Sequence, residues 1–282
     1  MARAGPSSGG STGVGPGAML SWNVERGVIR ELRRDGTNFI LPWGIETADS
    51  RGFFSLEPDV GYRHTRLAEH CLADAGRSLT TALVSMPEGL WRLNLEDEIA
   101  ANDTVFRTAT LTSVADTVLM DFVVRLRFRK SLFHTARIAD KTIEHRASDV
   151  YSQHPVRSAH LEGRDFSVRI DIEESECAMA MSPMLYVRDH ADEWVVHARM
   201  IPRRFHKEVI KVCNGWAGTR SIPLWASRAV LAAPGMRSWL WYRNERQPYP
   251  RLIRRVFNPN AFPMALLPKG ESLRWRVRVQ VV

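Results

Sequence analysis

The chain has 282 residues, a net charge of +8 and 44% apolar side chains, enough for a large core and too apolar for a disordered polymer. It holds no run of about eighteen apolar residues, so nothing is expected to span a membrane, and residues 1–18 lack the apolar stretch of a secretory signal. Cys71, Cys177 and Cys213 are odd in number and far apart, which argues against a disulfide framework or a C-x-x-C zinc site and suits free thiols in a reducing cytoplasm.

Residues 1–18, rich in Gly, Ser and Pro, read as a disordered tail. No linker interrupts residues 19–282, which read as a single domain. Residues 20–41 hold two or three short strands, with Arg26-Gly27 and Asp35-Gly36 supplying the turn chemistry between them. Strands follow at 78–85, 90–96, 104–111 and 118–128, separated by Pro87-Glu88-Gly89, Ala101-Asn102-Asp103 and Ala115-Asp116. Further strands are expected at 131–138, 142–145, 166–172, 178–181, 185–187, 194–200, 209–212, 229–231, 238–242 and 274–282. Helical spacing is weak, and only 62–75 and 222–231 offer a turn or two.

In 122–128, 166–172 and 274–282 apolar and polar side chains alternate with a period of two. That is the signature of antiparallel sheets with one wet face, whereas strands buried on both faces give continuous apolar runs. Strands in the middle teens exceed one open sheet, so the predicted fold is all-β: a large antiparallel sandwich of two curved sheets with very little helix. The alternating arginines Arg125, Arg127, Arg129, Arg274, Arg276 and Arg278 carry much of the positive charge and read as a solvated sheet face. With no nucleic-acid motif and no dense basic run, they speak against a nucleic-acid partner. There is no phosphate loop, dinucleotide fingerprint or metal-spaced histidine set, so no cofactor and no metal are expected; subunit number is left open.

Three segments resemble the galactose mutarotase-like β-supersandwich, the fold of aldose epimerases and of sandwich domains in many polysaccharide enzymes. They are Gly27 to Leu41 with its G-x-I-x-x-L-x-x-x-G spacing, the central stretch 108–128 with Ile143 to Tyr151, and Leu267-Pro268-Lys269-Gly270-Glu271-Ser272-Leu273-Arg274-Trp275 leading into the last strand. The resemblance implies a supersandwich with a sugar or sugar-like polyhydroxylated ligand on its concave face. In aldose epimerases an N-H-x-Y-[FW]-N segment carries a general-acid histidine. Here Tyr151 matches that segment, Asp149 stands at the histidine position, and the late general-base glutamate has no counterpart.

Three loops carry the candidate chemistry. His145, Asp149, Tyr151 and His154 fall within ten residues at a strand-to-loop transition, the kind of place where sites lie on a rigid sheet. Read structurally, Asp149 caps a turn and His145 is one satisfied polar side chain. Glu57, Arg63 and His64 crowd a second loop, where Arg63 suits a carboxylate or phosphate and His64 titrates near neutrality; the plain reading is a solvated loop. Trp216, flanked by Gly215 and Gly218, offers an indole for a sugar ring to stack on, and Trp43 is a weaker case; with nine tryptophans in the chain, most must be core. Two readings stay open. One is a sugar-directed enzyme, a mutarotase-like isomerase or a lyase, with His145 and either Asp149 or Glu57 as acid and base, and with Arg63, His64, Tyr151, His154 and Trp216 binding substrate. The other is a non-catalytic carbohydrate-binding or structural assembly protein.

Overall fold

A computed structural model describes residues 11–14, 20–57, 66–74, 76–146, 151–177, 181–212, 220–240 and 259–282. The strands of the first half are β1 (Ser11–Val14), β2 (Leu20–Glu25), β3 (Val28–Arg34), β4 (Thr37–Asn38), β5 (Ile40–Ala48) and β6 (Phe53–Ser55). They continue with β7 (Arg66–Asp74), β8 (Arg77–Met86), β9 (Gly89–Ala100), β10 (Thr104–Ser113), β11 (Thr117–Leu119) and β12 (Asp121–Arg129). Then come β13 (Phe133–Ile138), β14 (Lys141–Glu144), β15 (Tyr151–His154), β16 (Ser158–Gly163), β17 (Ser167–Glu176) and β18 (Met181–His190). The chain continues with β19 (Glu193–Pro202), β20 (Lys207–Val212), β21 (Arg220–Ser221), helices α1 (Leu224–Ala232) and α2 (Met236–Leu240), and strands β22 (Pro259–Leu267) and β23 (Ser272–Val281).

These strands form three antiparallel sheets. The ten-stranded sheet runs β1-β2-β3-β5-β12-β19-β18-β15, with β4 on β3 and β6 on β5. The nine-stranded sheet runs β14-β13-β16-β17-β23-β10-β9-β8-β7, and a small sheet runs β11-β22-β20-β21. The expected sandwich is what the residues build. β1 is the exception to the tail expectation: Ser11 to Val14 pair with Val24 to Ser21 of β2 as an edge strand.

The large sheets face one another across the main core. Phe122, Val124, Leu126 and Phe128 of β12 meet Trp275, Val277 and Val279 of β23 and Leu93 and Leu95 of β9 in one cluster. Three of the core indoles are satisfied by backbone carbonyls: Trp43 Nε1 donates to Arg127 O at 2.9 Å, Trp194 Nε1 to Phe133 O at 2.9 Å and Trp275 Nε1 to Phe122 O at 3.3 Å. Trp43 is thus a core residue rather than a sugar platform. Burial at roughly 25 cal/mol per Å² of apolar surface is what holds the layers together.

Turn chemistry explains the hairpins. Arg26 (φ 53°) and Gly27 (φ 79°) form the two-residue link between β2 and β3, and both are left-handed, as a turn matching strand twist requires. A Cβ on Gly27 would also come within 2.9 Å of Thr80 Cγ2.

The structure departs from the sequence expectations in four places. The described part of 62–75 is strand β7, paired with β8, not helix. Residues 229–231 lie in α1, and the start of the strand expected at 238–242 lies in α2. Ser227 and Leu231 are buried where α1 packs on the small sheet, and the backbone N–H of Ile210 donates to Ser227 Oγ at 3.1 Å, so tertiary packing decides for helix. Finally, 118–128 is split between β11 and β12, which serve different sheets.

Candidate functional site

The alternation in β12 sends Phe122, Val124 and Leu126 into the core and Val123, Arg125 and Arg127 to the opposite face of the ten-stranded sheet. Register carries that parity to the neighbouring strands. Arg125 lies opposite His197 and Gly44, Val123 opposite Arg199 and Glu46, and His197 opposite Tyr186. A single face of four strands therefore collects Glu46, Asp121, Arg125, Arg127, Tyr186, Arg188, Glu193, His197 and Arg199. Although they face away from the core, Glu46, Asp121, Tyr186, Glu193 and His197 are each 8% exposed or less.

Glu57 enters this face from the segment just after β6. Its Oε2 accepts from Arg127 Nη1 at 3.0 Å and lies 3.6 Å from Arg125 Nη1. Arg125 Nη1 also donates to Glu46 Oε1 at 2.8 Å, Arg127 Nε to Glu193 Oε2 at 2.5 Å, and Arg199 Nε to Asp121 Oδ2 at 2.8 Å. Gly44 is required here: a Cβ at that position would sit 2.7 Å from Glu57 Cγ and Oε1. Four carboxyl groups (Glu46, Glu57, Asp121 and Glu193) stand against four guanidiniums (Arg125, Arg127, Arg188 and Arg199), so the recess carries little net charge, slightly positive while Glu46 holds its proton, and offers many donors and acceptors.

Three buried polar atoms on this face have no hydrogen-bond partner among the described residues: Glu57 Oε1, Arg125 Nε and His197 Nδ1. An unmet buried donor or acceptor costs about 1–3 kcal/mol, so a ligand that completes it recovers that energy. Tyr186 Oη lies 3.4 Å from His197 Nε2, and their rings are 4.3 Å apart, edge to face.

Protonation is set mainly by burial. Burial pushes the Glu46 carboxyl up to about 7 against the opposing pull of Arg125. Burial, aided by the charges of Arg125 and Arg199, holds His197 well below the usual imidazole range, and it raises the Tyr186 hydroxyl. Glu57 is raised by burial despite Arg125 and Arg127. Near neutral pH a carboxyl that still carries a proton and a neutral imidazole thus share one face. Perturbed groups of this kind in a recess mark candidate acid–base sites.

Glu46 gives a stability prediction with a definite sign. Between about pH 4.5 and 7 the folded carboxyl binds more protons than the unfolded one, so its contribution to stability declines as pH rises through that window. Glu46→Gln removes this dependence. Its stability relative to the parent should grow by about 3 kcal/mol between acid and mildly alkaline pH, at ~1.4 kcal/mol per pKa unit. Urea titrations of both proteins at several pH values check this, and a constant difference would refute it.

Of the residues singled out from sequence, Glu57 lies in this recess. His145 does not. Its Nδ1 sits 3.0 Å from Asp189 Oδ1, while Asp189 Oδ2 accepts the backbone N–H of Arg146 at 2.9 Å and Asp189 also pairs with Lys130. Asp189 lies opposite Trp194 on the core side of β18, the other side from Tyr186. His145 also packs edge-on against Trp194 at 6.4 Å. The pairing of His145 with Glu57 across one ligand is therefore not what the topology brings together. His154 lies opposite Leu185, again on the core-side register, and the backbone of Tyr151 pairs with Arg188. Arg63, His64, Asp149 and Trp216 lie outside the described residues, as does the Tyr151 side chain.

Arg125 and Arg127, expected on a solvated face, line the recess with side chains 14% and 21% exposed. The last-strand arginines do behave as a wet face: Arg278 Nη2 meets Asp171 Oδ2 at 2.7 Å, and Arg276 lies over Phe106 at 4.7 Å. Sequence reasoning passed over Glu46 and His197. The usable signal was parity: with Trp194, Val196, Ala198 and Met200 inward, His197 and Arg199 must point the other way.

Known structures share this architecture. A protein assigned to the aldose 1-epimerases from Escherichia coli K12 superposes with a TM-score of 0.50 at 11% identity, covering 97% of this chain and 99% of its own. A galactose mutarotase related enzyme from Lactobacillus acidophilus gives a TM-score of 0.51 at 8% identity, covering 97% of each chain. The chain has the galactose mutarotase-like supersandwich fold. No protein-family model matches it, and no curated protein matches it in sequence.

Proposed function

We propose that the recess on the ten-stranded sheet binds a neutral sugar or similar polyhydroxylated molecule, and that Glu46 and His197 exchange protons with it. The observation that carries this reading is the buried, charge-balanced set of donors and acceptors with three of its atoms unmet. A neutral polyol supplies hydroxyls that both donate and accept, and it adds no charge to a face whose carboxyls and guanidiniums are already close to balance. The mutarotase-like fold, shared with proteins assigned to sugar chemistry, supports the same reading by analogy.

The chemistry follows from the protonation states. Anomer interconversion breaks the C1–O5 bond of a cyclic sugar as a proton reaches O5 and another leaves the C1 hydroxyl. Glu46, still protonated near neutrality, supplies the first proton, and neutral His197 accepts the second. Re-closure onto the other face of the carbonyl, with both transfers reversed, yields the other anomer and restores the protein. Arg125 and Glu57, locked together, orient the ligand through the hydrogen-bonding atoms they still present.

Calorimetric titration with a panel of neutral aldoses tests binding, and polarimetry with the same sugars tests turnover. Saturable binding of at least one sugar, abolished by Arg125→Ala in a protein that still melts cooperatively, is expected. Binding without anomer interconversion would leave a carbohydrate-binding protein and remove the catalytic part. Failure of every sugar to bind would overturn the whole reading.

A further inference from the structure

The two helices among the described residues occur together, and one side of the pair is anchored. Leu231 and Leu240 pack with Ile210 and Ala261 of the small sheet. The unit is also unusually apolar at its surface. Trp225 is 76% exposed, Trp239 42%, Leu224 37%, and Phe205, in the loop leading to β20, 38%. These are four of the seven large apolar side chains that are exposed among the described residues. Scattered exposed apolar side chains need no explanation, but three aromatics and a leucine on one small unit do.

The same unit is basic. Arg203, Arg204, His206 and Lys207 precede or open β20, while Arg228 and Arg237 project from the helices. Phe205, Lys207, Glu208, Arg228 and Arg237 line a cavity of about 390 Å³. Arg237 Nη2 donates to Glu208 Oε2 at 2.8 Å and Lys207 Nζ to Glu88 Oε1 at 2.7 Å, whereas Arg228 has no carboxylate partner among the described residues. Glu208 Oε1 is buried without a partner among the described residues, so a ligand hydroxyl has an acceptor there. The cavity thus offers cations for an anionic group and one acceptor for a neighbouring hydroxyl.

We propose that this face docks on an anionic membrane surface, with the phosphate of a lipid headgroup seated between Arg228 and Arg237. Exposed tryptophans beside arginines suit the bilayer interface, where indoles sit at headgroup depth and guanidiniums reach the phosphates. No helix among the described residues is long and apolar enough to cross a membrane, so the attachment is peripheral. The recess on the ten-stranded sheet plays no part in this contact, and its ligand binding serves as an independent control.

The test is flotation of the full chain with vesicles of phosphatidylcholine alone and of equal parts phosphatidylcholine and phosphatidylglycerol. The chain should float with the anionic vesicles only, and added salt should weaken the association. Arg228→Gln and Arg237→Gln should each lower partitioning about fivefold. Trp225→Ser should weaken it too, with no change in melting temperature because that side chain is already in water. Absence from both vesicle types would overturn the proposal. So would equal binding to neutral vesicles with no effect of the arginine variants. Arginine-dependent binding of inorganic phosphate or a single-stranded oligonucleotide without flotation would likewise sink it, assigning the site to a soluble anion or to nucleic acid.

Discussion

Asp97→Ala should lower the stability of the protein by about 3–5 kcal/mol, as is usual when one partner of a buried ion pair is removed. Arg107 is 1% exposed, and its Nε and Nη2 meet Asp97 Oδ1 and Oδ2 at 2.7 and 3.0 Å, a bidentate pair inside the core. The guanidinium also crosses between layers: it projects from β10 of the nine-stranded sheet and donates to Gly27 O at 2.6 Å and to Gly44 O at 3.5 Å. Without Asp97 an unpaired cation is left where water cannot reach it. The double variant Asp97→Ala, Arg107→Met should recover much of the loss, because no buried charge is then stranded. Urea unfolding of the parent, both single variants and the double variant measures the coupling. A loss under 1 kcal/mol for Asp97→Ala would show that water or a rearranged neighbour reaches Arg107. Gly44 adjoins Glu57, so the single variant should also weaken ligand binding in the recess, while the double variant restores the fold and tests whether the recess needs that anchor.

His197→Ala is the second change with a large expected effect, this time on turnover. If Glu46 and His197 form the acid–base pair, losing the imidazole should slow anomer interconversion by about 10²-fold or more, the usual contribution of one positioned proton-transfer group. Folding should suffer less, since the Nδ1 atom has no partner among the described residues and the contact of Nε2 with Tyr186 Oη is long, at 3.4 Å. Turnover and sugar affinity measured on the same sample separate the roles: a catalytic His197 gives a fall in kcat with binding largely kept, a merely structural one gives parallel losses. The parent's pH profile carries a second signature. Activity should decline as pH rises through about 7, where Glu46 gives up the proton it must donate. On the acid side it should persist below the range where an ordinary histidine becomes charged, because burial holds His197 neutral there. A profile rising through pH 7 would exclude Glu46 as the donor.

Much of the architecture is written in local periodicity. The alternation in 122–128 and 274–282 specifies strands with one buried face, and the turn residues at 26–27 and 35–36 specify where those strands reverse. The failures came where local pattern does not decide the outcome. The short segment starting Ser238-Trp239-Leu240 reads as a strand, but so few residues fit a helix as well, and contact of Leu240 with the small sheet decides for helix. At 118–128 a stretch that reads as one strand hides a change of sheet after Leu119, which no local pattern reports.

The candidate site divides the same way. Composition and parity place Arg125, Arg127, His197 and Arg199 away from the core. Period-two patterning says nothing, however, about whether an outward face meets water or a recess. The arginines of β12 and those of β23 have the same local pattern, yet Arg125 lies locked against Glu46 and Glu57 while Arg276 and Arg278 stand in a wet ladder. That difference arises from chain-distant partners: Glu57 from the segment after β6, Gly44 leaving it room, and β18 and β19 bringing Tyr186 to His197. Local alternation, a property of neighbouring residues, determined that this chain would form an antiparallel sandwich with charged outer faces. Which of those faces would be buried, and which carboxyl would hold its proton near neutrality, only the tertiary structure decided, because burial and charge pairing depend on residues some 80 to 150 positions apart being brought into one low-dielectric recess.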